Sequence, residues 1–249
     1  PIIYTPIEKK AKENSGTSYR VETDAAYATL SKGKITFSNM VYIIDRMSQC
    51  IIENEVLFCE LDSYAGDGDF GMSVAKGFKQ LKAEWKELVR DHCTIGEFLD
   101  ACSLIIMEHC GGASGPIWGS AFRAAGKNVG NKTEITASEF AQMLQAAVKG
   151  IQATGERSFG RGAIVGDKTL MDALIPCTDM WITCAQSDVQ MKEIFVRAAK
   201  AAVEGAKKTE KIVARMGRAS TVGDRSLGYP DAGAYGLGVI FTDLAGVLK

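Results

Sequence analysis

Histidine is nearly absent: the chain has two, His92 and His109, and neither lies in a glycine-rich stretch. That argues against a Ser-His-Asp hydrolase and against a zinc centre built on imidazoles. His109 is placed at an expected helix end, where a cation suits the dipole, rather than in catalysis. The seven cysteines, at positions 50, 59, 93, 102, 110, 177 and 184, are odd in number and hold no C-x-x-C pair. They read as reduced, buried, inert thiols. Basic charge is not in excess, with 29 Lys and Arg against 30 Asp and Glu, so nucleic acid is a poor partner. No apolar run approaches the ~18–20 residues of a membrane span, and no secretory-type leader opens the sequence. The expected address is the cytoplasm, with no membrane partner. No G-x-G-x-x-G follows a strand and no Gly-Lys-[Ser/Thr] closes a glycine loop, which removes the Rossmann and Walker A readings. Strand signals are weak throughout, and Val239-Ile240-Phe241-Thr242 fits a helix better. No repeat of fixed period is present.

What is present is helical periodicity. The hydrophobic fraction of 46% and charged fraction of 24% suit a soluble globular protein with a sizeable core, and 249 residues suffice for one large domain or two small ones. Residues 1–36 are polar and weakly patterned, with Lys9–Ser15 and Lys32–Lys34 expected to be solvated, so they read as an N-terminal extension. Residues 37–249 read as one domain. Apolar residues at helical spacing predict helices over Thr36–Glu60, Ser73–Val89, about 94–110, Ser114–Lys127, about 136–154, 169–185, 187–214 and 232–248. Thr94-Ile-Gly-Glu97 and Thr136-Ala-Ser-Glu139 are capping boxes. Ser187 and Asp188 are candidate caps for the seventh helix, and Pro176 is a candidate kink in the sixth. The fold class is therefore all-α, with about eight helices. In an up-and-down arrangement every second connection lies at the same end. The connections after helices 1, 3, 5 and 7, around 61–71, 111–114, 155–168 and 217–232, are the glycine-rich ones. The alternate connections are plain polar turns. One end is thus expected to carry the chemistry.

The first glycine loop, Leu61–Gly71, packs Asp62, Asp67 and Asp69 into eight residues with no Lys or Arg between Leu61 and Gly71. Asp69 has a structural alternative as a helix N-cap. Three carboxylates and three glycines exceed what capping needs, and hard oxygen ligands favour Mg²⁺ shared with phosphate. The spacing does not match an EF-hand. The second, Gly111–Gly119, is a small-residue helix start suited to an anion, with Ser114 as cap or phosphate donor; close helix packing explains it equally well. In the third, Lys168 is a candidate phosphate cation, but plain helix capping by Asp167 and Thr169 is the simpler account. The fourth, Gly217–Gly233, is long, polar and glycine-punctuated. There Arg218 and Arg225 are candidates for phosphate and Asp231 for a ribose or amine, against a merely solvated loop.

Together the strings Leu61-Asp-x-x-x-Gly-Asp-Gly-Asp-x-Gly71, Gly111-Gly-Ala-Ser-Gly-Pro116, Gly166-Asp-Lys-Thr169 and Gly217-Arg-Ala-Ser…Gly-Asp-Arg-Ser…Asp-Ala-Gly-Ala234 resemble the nucleotide-binding (L) subunit, or C-terminal kinase domain, of dihydroxyacetone kinases. The resemblance spans about residues 37–249. It implies an antiparallel up-and-down barrel of eight helices with the nucleotide, ATP or ADP, at one end. It implies that Asp62, Asp67 and Asp69 hold two Mg²⁺ ions and carry the catalysis. Phe70, Gly71, Met72 and Ser73 match the phosphate-contacting turn, and Ala113 and Ser114 match the second loop's contacts. Gly162 (in a loop longer than the family's short members have), Leu170, Arg218, Asp231, Ala232 and Gly233 match the remaining nucleotide contacts. Members with a permanently bound ADP, recharged by a phosphotransferase-system protein, resemble Asp-Ala-Asp-His at the aspartate turn. Members with exchangeable ATP resemble Asp-Gly-Asp-Thr. Gly68 leans to the second pattern and Phe70 fits neither, so the donor stays open. The family holds its hydroxyketone on a separate domain or subunit through a covalent histidine link. This chain has no such domain, so the expectation is half a phosphotransferase that needs a substrate-binding partner. The alternatives are an ADP–Mg²⁺-holding relay or regulatory module, and a fatty-acid-kinase-like domain.

Overall fold

The computed structural model describes residues 19–30 and 33–249; the readings made for residues 1–18 and for 31–32 fall outside them. The helices are α1 (Phe37–Glu53), α2 (Glu55–Ala65), α3 (Phe70–Ala83), α4 (Trp85–Asp91), α5 (Ile95–His109), α6 (Ser114–Val129), α7 (Ala137–Phe159), α8 (Met171–Ala185), α9 (Met191–Lys208) and α10 (Ala232–Val247). These ten make eight arms, because two predicted helices are each broken once. Asn54, at φ −99° and ψ 11°, separates α1 from α2, and its side-chain amide donates to the Cys50 carbonyl at 2.8 Å. Glu84 interrupts the second arm in the same way, at φ −97° and ψ 10°. The arms α1, α3, α5, α6, α7, α8, α9 and α10 each pack on the next, and α10 closes on α1. The all-α barrel expected from the sequence is the observed architecture. Its interior is apolar, with Ile51, Phe78, Ile106 and Trp181 almost fully buried, and it encloses a cavity of about 130 Å³ lined by residues such as Met40, Phe122, Met143 and Leu244.

Two short strands were not expected. β1 (Lys34–Thr36) pairs antiparallel with β2 (Glu134–Thr136), Ile35 opposite Ile135. Each strand runs into a threonine N-cap, Thr36 for α1 and Thr136 for α7, both in capping boxes. Three residues are too few for an alternating pattern to register. Residues 20–23, ahead of β1, are anchored to the helices. Buried Asp45 accepts from the Glu22 and Thr23 N–H groups and the Thr23 hydroxyl, and pairs with buried Lys82, which also donates to the Arg20 carbonyl. The seventh helix differs at both ends from expectation. Gln190, not Ser187 or Asp188, is the N-cap, and the helix stops at Lys208. Thr209 ends it by turning its hydroxyl to the Ala206 carbonyl and the Asp231 N–H.

Pro176 lies inside α8, so the Asp172 carbonyl has no N–H donor one turn on. Gly205 of α9 approaches that carbonyl so closely that a Cβ there would lie 2.0 Å from the oxygen. Gly205→Ala forces α8 and α9 apart. It is expected to cost about 1–3 kcal/mol, or roughly 2–4 °C of Tm per kcal/mol, in thermal melts. An unchanged Tm would contradict the packing.

Five cysteines are buried, Cys59 is half-buried and Cys93 is exposed; all seven are free. Burial pushes the Cys50 thiol up to about 12, in keeping with an inert group. Among the described residues, no helix is long and apolar enough to cross a membrane.

Candidate functional site

The four glycine-rich connections meet at one end of the barrel, as the helix count predicted. In the turn between α2 and α3, Asp62 organises the backbone. Its Oδ2 accepts from the Asp69 N–H at 3.1 Å and the Phe70 N–H at 3.2 Å. A carboxylate from the preceding helix thus caps α3, which explains why α3 starts at Phe70 and not at Ser73. Asp69 occupies the N-cap position, but its side chain makes no cap bond. Gly66 lies against Asp62, where a Cβ would be 2.2 Å from Oδ1, and Gly68 takes φ 78° to reverse the chain. Asp62, Asp67 and Asp69 can each present an oxygen within 4.8 Å of the others'. An all-oxygen donor set of this size, with Asp67 exposed and the other two half-buried, fits a hard divalent cation.

The first turn of α3 is differentiated. The Phe70 ring packs at 6.0 Å from Phe58 and beside Gly236 of α10, so it faces the helices. Gly71 is pressed against the Glu55 carbonyl, where a Cβ would sit at 2.0 Å. Met72 is exposed, and its N–H lies 3.2 Å from the Cys59 sulfur. The Ser73 carbonyl accepts from the Gly111 N–H at 2.9 Å, which ties the aspartate turn to the Gly111–Ser114 turn. There Gly112 is at φ 51°, and α6 begins after Ala113 with no side chain capping it. Ala113 and Ser114 therefore stand beside the aspartate turn at an uncapped helix start.

The third and fourth connections are locked together by a residue whose expected role changes. Lys168 is fully buried, and its Nζ donates to the carbonyls of Thr209 at 2.9 Å, Tyr229 at 2.7 Å, Ile212 at 3.2 Å and Ser226. Burial holds its ammonium below the usual lysine range. The candidate phosphate cation is thus a structural tie, and its φ of 61° gave no signal in the sequence. Of the two candidate caps, Thr169 turns its hydroxyl to the Met171 N–H that opens α8, at 3.2 Å, and Asp167 does not cap the helix. Asp167 pairs with Arg161, which holds its carboxyl below the usual range, while Asp172 accepts from the Thr169 and Gly166 N–H groups. Gly162 lies against Gln152 of α7. Leu170 begins α8 and touches Gly233, where a Cβ would be 3.0 Å from the Leu170 Cβ.

Arg218 opens the 3-10 segment Arg218–Ser226; the reading of its side chain falls outside what is described. Asp231 caps α10 through the Ala234 N–H at 2.8 Å. Its carboxyl, enclosed although the residue keeps some surface, is pushed up to about 7 by burial, with Asp172 and Asp62 adding to the rise. Ala232 and Gly233 form the first turn of α10 and are buried. The structure therefore brings Asp62, Asp67, Asp69, Ser73, Ala113 and Ser114 into one group. Leu170, Asp231, Ala232 and Gly233 form a second group, linked to the first through α2 and α10, which are in contact.

The family model described as the DAK2 domain matches residues 64–246. The chain is 31% identical over 193 residues to the ADP-binding subunit DhaL of PEP-dependent dihydroxyacetone kinase 2 from Listeria innocua, covering 78% of this chain and 86% of that one. It is 30% identical over 199 residues to the L-erythrulose kinase of Pectobacterium atrosepticum, covering 80% of this chain but 33% of that longer one. Its fold is similar to the dihydroxyacetone kinase from C. freundii in complex with AMP-PNP and Mg2+, with a TM-score of 0.60 at 21% identity, over 99% of this chain and 38% of that one. With the aspartate turn, the helical ring and these similarities in agreement, the chain belongs to the DAK2 domain family.

Proposed function

We propose that the chain is the nucleotide- and Mg²⁺-binding part of a small-ketose kinase of the dihydroxyacetone type. The observation that carries this reading is the convergence of the Asp62, Asp67 and Asp69 carboxylates beside the uncapped start of α6. Mg²⁺ held there supplies the positive charge that offsets a nucleotide's phosphates. The chain's own residues do the positioning. Asp62 sets the turn by binding two N–H groups, and the Gly111–Ser114 turn offers the Gly112 and Ala113 N–H groups and the Ser114 hydroxyl to phosphate oxygens. Leu170, Ala232 and Gly233 form an apolar contact at the same end. Catalysis on this arrangement is orientation and electrostatics, with phosphate passing to a hydroxyl of the ketose.

The domain assigned to this role is 37–249, with 1–36 an extension and the cytoplasm its place. The acceptor sits on a partner subunit or domain. The Listeria innocua relative is named a subunit, and the chain spans about a third of the L-erythrulose kinase. Met72, Phe159, Ile164, Val165 and Leu227 are exposed apolar residues on or beside the glycine-rich connections, which supports docking at that end. The purified chain alone is expected to phosphorylate no dihydroxyacetone in a coupled assay, and activity is expected when a substrate-binding subunit is added. Robust turnover by the chain alone would overturn the partner requirement.

A second reading has support in relatives named PEP-dependent and PTS-dependent ADP-binding subunits. In that reading ADP stays bound and a phosphotransferase-system protein recharges it. Dialysis separates the two: exchangeable nucleotide is lost, resident ADP is retained.

A further inference from the structure

Tyr64 and Tyr229 lie face to face, with ring centroids 4.2 Å apart and planes 2° from parallel. Both rings are on the surface, at 46% and 42% exposure, so neither belongs to the core. Tyr64 follows Asp62 by two residues in the last turn of α2, and Tyr229 precedes Asp231 by two. The stack therefore joins the aspartate turn to the far end of the 217–231 loop. Among the described aromatic pairs it is the one that does so. The 3-10 segment of the loop also packs on α2, and further hydrogen bonds tie the loop to the third connection and the end of α9. Lys168 holds the Ser226 and Tyr229 carbonyls to the third connection, and the Gly228 N–H donates to the Glu210 carbonyl at 2.8 Å. Those bonds fix the loop to the α8 and α9 side of the barrel. On the aspartate side the stack supplies the aromatic tie.

We propose that the Tyr64–Tyr229 stack is a latch that holds the 217–231 loop against the aspartate turn and sets how fast a Mg²⁺-nucleotide leaves the site. The proposal rests on the nucleotide-site reading above. Two stacked rings that stay exposed add little burial, so their contribution is mainly to the geometry they hold. The excess stability of an aromatic pair is modest, which corresponds to a shift of about three- to tenfold between latched and unlatched loop. Ordering a loop before the ligand departs acts on dissociation more than on association.

The test is stopped-flow dissociation of a fluorescent ADP with Mg²⁺ from the full chain, comparing wild type with Tyr64→Ala, Tyr229→Ala, the double variant, Tyr64→Phe and Tyr229→Phe. Each alanine is expected to raise the dissociation rate about three- to tenfold, with the double variant no faster than the faster single. Each phenylalanine keeps the ring and is expected to stay within about twofold of wild type. Melting of the nucleotide-free variants checks that each is folded. Unchanged rates in folded alanine variants would overturn the latch, as would additive effects, which mean that each ring meets the nucleotide separately. Phenylalanines that behave like alanines would assign the effect to the hydroxyls and also overturn it. Failure of the wild-type chain to bind Mg²⁺-nucleotide removes the site reading itself, and the latch with it, before any variant is compared.

Discussion

Asp67→Ala is expected to abolish most of the Mg²⁺-dependent gain in nucleotide affinity while leaving the fold intact. Asp67 is the exposed member of the carboxylate trio, whereas Asp62 also caps α3, so removing Asp62 would disturb the helix as well as the cation. Groups that merely orient a metal ligand are worth about 10–100-fold in affinity. On the proposed metal role, loss of one carboxylate of the three is expected to weaken Mg²⁺-dependent nucleotide binding about 100-fold, roughly 2.7 kcal/mol. The sign without metal is opposite. One fewer negative charge beside the phosphates leaves metal-free affinity equal or slightly improved. Isothermal titration with ADP or ATP, in Mg²⁺ and in chelator, reads both arms. A variant with full Mg²⁺-dependent affinity would remove the metal assignment, and equal losses in both arms would point to a misfolded turn.

How much of this was legible follows from what each feature depends on. The aspartate turn could be read because its signal is local: three like charges and three glycines in eleven residues have few explanations. The helical ring could be read because apolar periodicity survives a single break in an arm. The breaks at Asn54 and Glu84 could not, since each is one residue leaving the helical region while the pattern continues on both sides. The β1–β2 ladder was hidden by its length. The tie made by Lys168 was hidden for a different reason. A lysine beside a glycine loop looks the same in sequence whether its ammonium faces a phosphate or four carbonyls, and the carbonyls come from residues 41 to 61 positions away. The Tyr64–Tyr229 stack has the same character, because its partners are 165 residues apart in sequence and meet only when the ring of helices closes.

The carbonyl cage gives the largest expected stability effect. Lys168→Met keeps the length of the side chain and removes the charge, leaving the Thr209, Ile212, Ser226 and Tyr229 carbonyls facing an apolar group. Breaking one half of a buried polar cluster costs about 3–5 kcal/mol, a large share of the ~5–15 kcal/mol that holds a domain together. At roughly 2–4 °C per kcal/mol, the Tm of nucleotide-free protein is expected to fall by about 6–20 °C. Lys168→Gly separates charge from backbone. Glycine relieves the left-handed φ of 61°, so if backbone strain dominated, it would stabilise; with the cage dominant it also destabilises. A phosphate-binding lysine would behave differently in both variants, losing nucleotide affinity with the nucleotide-free Tm unchanged. Calorimetry without nucleotide therefore decides the role of Lys168 before any ligand is added. A Tm within about 2 °C of wild type for Lys168→Met would return it to the binding site.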